Sequence, residues 1–183
     1  MANVPDLVTE RLTLRAVTAE DAAAYREHFI DYEVIRYLSA AVPWPYPDDG
    51  IENFLAAKLP QQGRDRWLWG LHLNGATTGL IGAIELWREG EPEHRGFWLG
   101  RAFWGRGYMS EAASAVTDAA FERFGFEELC LTNALDNARS HRIKEKAGAE
   151  LLRVEPGAYV DPALTQQAVW RLRKADWLAR RER

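Results

Sequence analysis

The residues best suited to bind a phosphate group lie between Trp104 and Ala112, where the sequence is Trp-Gly-Arg-Gly-Tyr-Met-Ser-Glu-Ala. The two glycines follow an apolar run at 96–100, typical of a strand, and precede a long amphipathic pattern typical of a helix. Glycines at such a junction let backbone N–H groups approach an anion, and the helix dipole adds partial positive charge there. The spacing therefore predicts a phosphate-binding loop formed by Trp104, Gly105, Arg106, Gly107, Tyr108, Met109 and Ser110.

Other phosphate-binding loops fit this segment less well. A Walker loop requires Gly-Lys-Ser/Thr after its spacer, and the segment lacks that triplet. A dinucleotide-binding loop requires a third glycine directly after a strand, whereas Ser110 occupies that place and residues 101–104 intervene. A nicotinamide-dependent oxidoreductase is therefore the weaker interpretation. A glycine pair that only turns the chain stays open as the plain structural alternative.

A second polar segment extends from Asn137 to Gly148 and follows a strand-like run at 129–132. Asn137 is a favourable N-cap, and Gly148 stands where a helix commonly ends. Asn137, Ser140 and Lys144 are spaced to share one face of that helix. An amide, a hydroxyl and an ammonium group on one face suit a polar, anionic ligand. A short capped surface helix with ordinary charges is the alternative.

Together these residues resemble the GNAT superfamily of acetyl-CoA-dependent N-acetyltransferases, and most of all its Rim-type branch, which acetylates the N-termini of ribosomal proteins. The opening Thr9-Glu10-Arg11-Leu12-Thr13-Leu14-Arg15 resembles the first strand of that branch, 104–112 its pyrophosphate loop, and 137–148 its later CoA-side helix. The resemblance implies acetyl-CoA as cosubstrate and direct attack on its thioester by a primary amine in a ternary complex. It implies cofactor contacts from Trp98, Leu99, Trp104, Gly105, Arg106, Gly107, Tyr108, Met109, Ser110, Asn137, Ser140 and Lys144.

Direct attack requires a proton acceptor for the amine and a proton donor for the leaving thiolate. Many GNAT enzymes carry a tyrosine donor seven residues after the asparagine, and here Lys144 stands at that place. The resemblance therefore implies Ser140 as the acid, with Lys144 as the alternative donor. For the base we name Glu85 on the strand-like segment 84–86 and His94 as second candidate, and a water chain is equally open.

The elements that must position these residues follow the order β-α-α-β-β-β-α-β-α-β-β, which predicts a mixed α/β (α+β) fold. The segment 7–16 predicts one strand, Asn74-Gly75 a hairpin turn, and residues 107–124 a helix that ends at Gly125. The resemblance implies a GNAT-like fold. Its central mixed, mostly antiparallel twisted sheet would have about seven strands, with splayed middle strands and flanking helices.

The composition and net charge limit the classes of protein to which this chain can belong. The chain has 183 residues, 47% of them hydrophobic and 27% charged, with a net charge of −4 and one cysteine. These values predict a single domain over residues 1–183 in the cytoplasm, without a membrane segment or a metal site, and the resemblance implies that it is an N-acetyltransferase domain. The acidic balance makes nucleic acid an unfavoured partner, and a homodimer stays open.

Two function classes remain after these arguments. The first is an acyltransferase acting on a protein N-terminus or a small-molecule amine. The second is a non-catalytic acyl-CoA-binding regulatory module, which would keep the phosphate loop without working proton-transfer groups. The replacement of the tyrosine by Lys144 favours the second class, and Ser140 favours the first.

Overall fold

A computed structural model describes residues 4–89 and 93–181. Within them the chain forms eight strands and six α-helices, with short 3-10 turns at 19–21, 59–61 and 101–103. The strands are β1 (Leu7–Val8), β2 (Leu12–Ala16), β3 (Arg66–Leu73), β4 (Gly82–Trp87), β5 (Arg95–Leu99), β6 (Glu128–Ala134), β7 (Glu150–Pro156) and β8 (Gln166–Arg173). The helices are α1 (Ala22–Phe29), α2 (Tyr32–Ile35), α3 (Gly50–Lys58), α4 (Tyr108–Glu122), α5 (Ala138–Ala147) and α6 (Lys174–Arg181).

The strands form two antiparallel sheets. The first has the order β1-β2-β3-β4-β5, and the second has the order β6-β8-β7. The prediction of a mostly antiparallel mixed α/β fold is confirmed. The prediction of one strand over 7–16 is wrong, because the chain folds back there and Leu7 lies opposite Leu14.

The middle strands β5 and β6 meet only where they begin. The His94 N–H donates to the Cys130 carbonyl (2.9 Å), and the Cys130 N–H donates to His94 Nδ1 (2.8 Å). Beyond this point β5 belongs to one sheet and β6 to the other, with no ladder between them. The splayed pair leaves a wedge-shaped opening between the sheets, as the resemblance implied.

Hydrophobic packing covers both faces of the first sheet. Trp67 and Trp69 of β3 pack on the α4 side, where the Trp67 ring stacks on Phe124 at a centroid distance of 4.1 Å. Leu68 packs on the opposite side with α1 and α3, as strand alternation requires. On that side the Trp98 Nε1–H donates to the Tyr25 hydroxyl (2.9 Å). These contacts fix β5 firmly along one wall of the opening.

The predicted boundaries of α5 depend on local capping and are confirmed. Asn137 Oδ1 accepts the Ser140 N–H (3.1 Å) at the start of α5, and Gly148 ends that helix with φ of 79°. Helix α6 was not among the predicted elements. Its Trp177 is buried and donates Nε1–H to Asp118 (2.8 Å). Among the described residues, none of the helices has the length and apolar character needed to cross a bilayer.

Candidate active site

A cleft of about 560 Å³ opens between the splayed ends of β5 and β6. Its walls come from α2, β5, the start of α4, the first turns of α5 and the loop before β8. A volume of this size suits a small-molecule substrate. Of the residues predicted to contact the cofactor, all except Arg106 and Lys144 line this cleft.

The glycine loop forms one end of the cleft. Gly105 and Gly107 have φ of 76° and 82°, in the left-handed region that favours glycine. A Cβ placed on Gly105 would meet no atom within 4 Å, so the loop backbone is open to a ligand. The first N–H groups of α4 have no intrahelical acceptor and point out of the helix here. This cradle fits the pyrophosphate of a CoA thioester.

Thr9 and Arg11, near the N-terminus, hold this cradle in place through Glu111. Glu111, in the first turn of α4, accepts hydrogen bonds from the Thr9 hydroxyl (2.6 Å), the Arg11 N–H (2.9 Å) and Arg11 Nε (2.7 Å). Arg11 Nη1 also donates to the Arg106 carbonyl (2.9 Å), so Arg106 serves the loop through its backbone. Partial burial alone would raise the pKa of Glu111, but these hydrogen bonds and the Arg11 charge outweigh it and lower the pKa.

We expect Glu111→Gln to lower the free energy of unfolding by about 1 kcal/mol near neutral pH, a value discounted for exposure of Arg11. Because the folded pKa of Glu111 is depressed, its stabilisation is present above the unfolded pKa and is lost as pH falls through the folded pKa. Urea unfolding at a series of pH values measures the difference in free energy of unfolding between the wild-type protein and the variant. Glu122→Gln, at the exposed far end of the same helix, is the control. A difference that persists unchanged into acid would contradict the prediction.

Ser140 and Lys144 form a buried pair at the middle of the cleft. Lys144 Nζ donates to Ser140 Oγ (2.9 Å) and lies 5.6 Å from the centroid of the Phe97 ring. Lys144 is only 2% exposed and lies behind Ser140, so the structure does not place it at the cleft surface. Burial lowers the pKa of Lys144 well below its ordinary value, the charge of Arg95 lowers it further, and Glu93 opposes both. A lysine in this environment is, while protonated, a stronger acid than an exposed lysine.

The structure does not bring Glu85 to the cleft. Its carboxylate pairs with Arg66 and lies 4.0 Å from Lys58 Nζ, on the side of β4 that faces α3. The prediction of Glu85 as the base is therefore corrected, because its partners hold it away from the opening. The second candidate, His94, uses Nδ1 to accept the Cys130 N–H and so joins the two strands.

Glu93 is a carboxylate in the lining of the cleft beside β5, and the sequence analysis missed it. Its carboxylate accepts a hydrogen bond from the hydroxyl of Thr132 on β6, across the wedge. Burial raises the pKa of Glu93, and the charge of Lys144 lowers it in part. Its signal in the sequence is weak, because Glu93 stands two residues before β5 and no periodic pattern marks such a position.

The far end of the cleft is aromatic and acidic. Glu33 of α2 and Tyr37, two residues after that helix, line it together with Tyr159 from the loop before β8. The Tyr159 hydroxyl is buried and has no hydrogen-bond partner among the described residues. Burial raises the pKa of Tyr159 to about 12, and the charge of Glu93 contributes. Carboxylates and aromatic faces favour a cationic group.

Comparison with known proteins gives consistent matches. The acetyltransferase (GNAT) domain family matches residues 11–150. The uncharacterized N-acetyltransferase YoaA of Bacillus subtilis is 30% identical over 149 residues, which cover 79% of this chain and 82% of that protein. A GNAT-family acetyltransferase from Bacillus anthracis has a similar structure, with a TM-score of 0.74, 19% identity and coverage of 93% of this chain and 99% of that one. The ribosomal-protein-S5-alanine acetyltransferase of Vibrio fischeri has a TM-score of 0.77, 14% identity and coverage of 94% and 98%.

Proposed function

Because this chain belongs to the GNAT acetyltransferase family and is an acetyl-CoA-dependent N-acetyltransferase, we propose that its cleft delivers the acetyl group to a primary amine entering beside α2. One observation carries the proposal: Ser140 and Glu93 face the same cleft between the glycine cradle and the aromatic, acidic end. Bound acetyl-CoA supplies the activated thioester. The Gly105–Ser110 backbone holds the phosphates, and Glu33 and Glu93 draw in the amine.

Glu93 and Ser140 divide the proton transfers between them. Glu93 accepts a proton from the amine, and its raised pKa suits a general base that works near neutral pH. Ser140 Oγ already accepts a hydrogen bond from Lys144, so its own O–H is available to protonate the leaving sulfur. As Ser140 gives its proton to the sulfur, the ammonium form of Lys144 passes a proton to the same oxygen and becomes a neutral amine, and its lowered pKa makes it a stronger acid for this step.

The acceptor is a protein N-terminus or a small-molecule amine. The resemblance to the Rim-type branch and the similarity to a ribosomal-protein-S5-alanine acetyltransferase favour a protein N-terminus. The carboxylates of Glu33 and Glu93 favour any acceptor with a cationic amine. A ribosomal acceptor would place the reaction in the cytoplasm.

A panel of amines tests the function. Purified protein and acetyl-CoA are combined with peptides bearing a free or a blocked N-terminus, with spermidine and with lysine, and thiol release and product mass are followed. We expect acetylated product from at least one free primary amine and none from the blocked peptide. Tight acetyl-CoA binding without transfer to any amine would instead support an acyl-CoA-binding regulatory module.

We expect Ser140→Ala to lower kcat by about 10²-fold, because a donor to the leaving thiolate acts in the transition state rather than in substrate binding. Affinity for acetyl-CoA should change little. Steady-state kinetics and calorimetry measure the two quantities separately. Lys144→Ala is a second variant, and a larger kcat loss there would assign the donor role to Lys144.

Ser110→Ala provides the matched comparison for Ser140→Ala. Ser110 occupies the third position of α4, as Ser140 does in α5, but it lines the phosphate end of the cleft. Its loss should weaken acetyl-CoA binding more than it changes kcat. If Ser140→Ala gives that same pattern, Ser140 is a cofactor contact and not the acid.

A further inference from the structure

Arg95 is a buried cation in the wall of the cleft. Its residue is 4% exposed, and Nη1 donates to Thr117 Oγ1 (2.9 Å) and to the Ala113 carbonyl (3.4 Å) on α4. Its Nε and Nη2 are buried and have no hydrogen-bond partner in the part of the chain that the structure describes. Two strong donors of one guanidinium are therefore unsatisfied in a residue that lines the cleft.

The charge of Arg95 is also uncompensated within residues 4–89 and 93–181, where no carboxylate lies within ion-pair distance of it. The neighbouring titratable group, Lys144, is itself a buried amine, and Glu93 is engaged by Thr132. Burial lowers the pKa of Arg95 to about 10, which leaves the group cationic at neutral pH. A buried cation without a partner is costly, so an anion supplied by a ligand would relieve that cost.

The position of Arg95 indicates which ligand group reaches it. Arg95 and Phe97 lie two residues apart on β5 and so share a face, and Phe97 lies beside the Ser140–Lys144 pair. Leu99, at the other end of β5, leads to the glycine cradle. Along the strand, Arg95 therefore lies roughly 7 Å beyond Phe97, on the side away from the phosphates. An acetyl group at Ser140 is short and uncharged, so it provides no anionic partner for the Arg95 guanidinium.

We propose that the cleft also accepts a short acyl-CoA whose acyl chain ends in a carboxylate, of the succinyl type, and that Arg95 pairs with this carboxylate. The inference rests on the proposed function and names a further donor class for the same site. The acceptor nitrogen forms a bond to the acyl carbon and the carbon–sulfur bond breaks. The amine proton passes to Glu93, and the leaving sulfur takes a proton from Ser140. The product is an amide that carries a free carboxylate in place of the amine charge.

Calorimetric titration tests the donor preference without any acceptor. Succinyl-CoA is compared with butyryl-CoA, which has the same chain length but no carboxylate, and with acetyl-CoA. We expect the wild-type protein to bind succinyl-CoA about 10- to 100-fold more tightly than butyryl-CoA, as charge-assisted hydrogen bonds imply. Arg95→Met should remove that preference and leave the Kd of acetyl-CoA within a few-fold. Arg95→Lys should retain part of it.

The outcomes separate this inference from the proposed function. If the protein binds acetyl-CoA but does not prefer succinyl-CoA over butyryl-CoA, the inference is wrong and the proposed function stands. If it binds no acyl-CoA, the proposed function fails.

A carboxylate of the acceptor could also reach Arg95, so amino acids and their amides are compared as acceptors. An Arg95→Met effect confined to the carboxylate-bearing acceptors would overturn the assignment to the acyl chain. If Arg95→Met does not fold, the difference between the affinities of the wild-type protein for succinyl-CoA and butyryl-CoA tests the inference by itself.

Discussion

Gly107→Glu is expected to weaken acetyl-CoA binding by about 10³-fold, which in practice abolishes it. A carboxylate at this position would lie where the cradle binds an anion, and like charges in close contact cost several kcal/mol. The Cβ itself would lie 3.3 Å from Arg11 Nη2, which also orders the loop. Acetyl-CoA should raise the Tm of the wild-type protein, because it binds the folded state, and this rise should disappear in the variant.

Gly125→Glu is the matched control for the loss of binding. Gly125 has φ of 69° and open space around its Cβ, and it follows α4 at the end away from the cradle. Both substitutions therefore introduce the same residue into a left-handed conformation, at a similar cost of about 1–2 kcal/mol. Gly125→Glu should keep the Tm shift with acetyl-CoA. A folded Gly107→Glu protein with unchanged affinity would refute the location of the phosphate site.

Glu93→Gln is expected to lower kcat/KM by about 10³-fold, within the range for general base catalysis. The amide keeps the size of the side chain but cannot accept the amine proton. Burial raises the pKa of Glu93, so the wild-type rate should rise with pH as this carboxyl ionises and then level off. The variant should lose that rise. Rates measured across pH with one amine acceptor show whether it does.

Glu85→Gln provides the control for this prediction. Glu85 is also a partly buried glutamate next to basic side chains, but its carboxylate pairs with Arg66 away from the cleft. Its substitution should affect stability more than the pH dependence of the rate. If Glu85→Gln flattens the pH profile and Glu93→Gln does not, the base is Glu85 and the assignment to Glu93 is wrong.

The sequence by itself determined the features that depend on neighbours a few residues away. Asn137 caps α5 through a hydrogen bond to the N–H three residues on, and Gly107 and Gly148 take up left-handed backbone beside helix ends. Such contacts form within one helical turn, so residue type and spacing suffice to predict them. The glycine cradle, the turn at Asn74-Gly75 and most of the order of the elements were therefore visible in the sequence, but the fold-back between β1 and β2 and the last helix, α6, were not.

Only the tertiary structure decided which side chains meet in the cleft. Glu85 and Glu93 are the same residue type near the same strands, and their partners lie 19 and 39 residues away along the chain. Lys144 becomes buried because α5 packs its inner face against Phe97 of β5, which helix spacing alone cannot reveal. Arg95 is left unpaired by the same packing of α4 on the sheet. Proton transfer depends on these long-range contacts, because burial and partner charge set the pKa of each group.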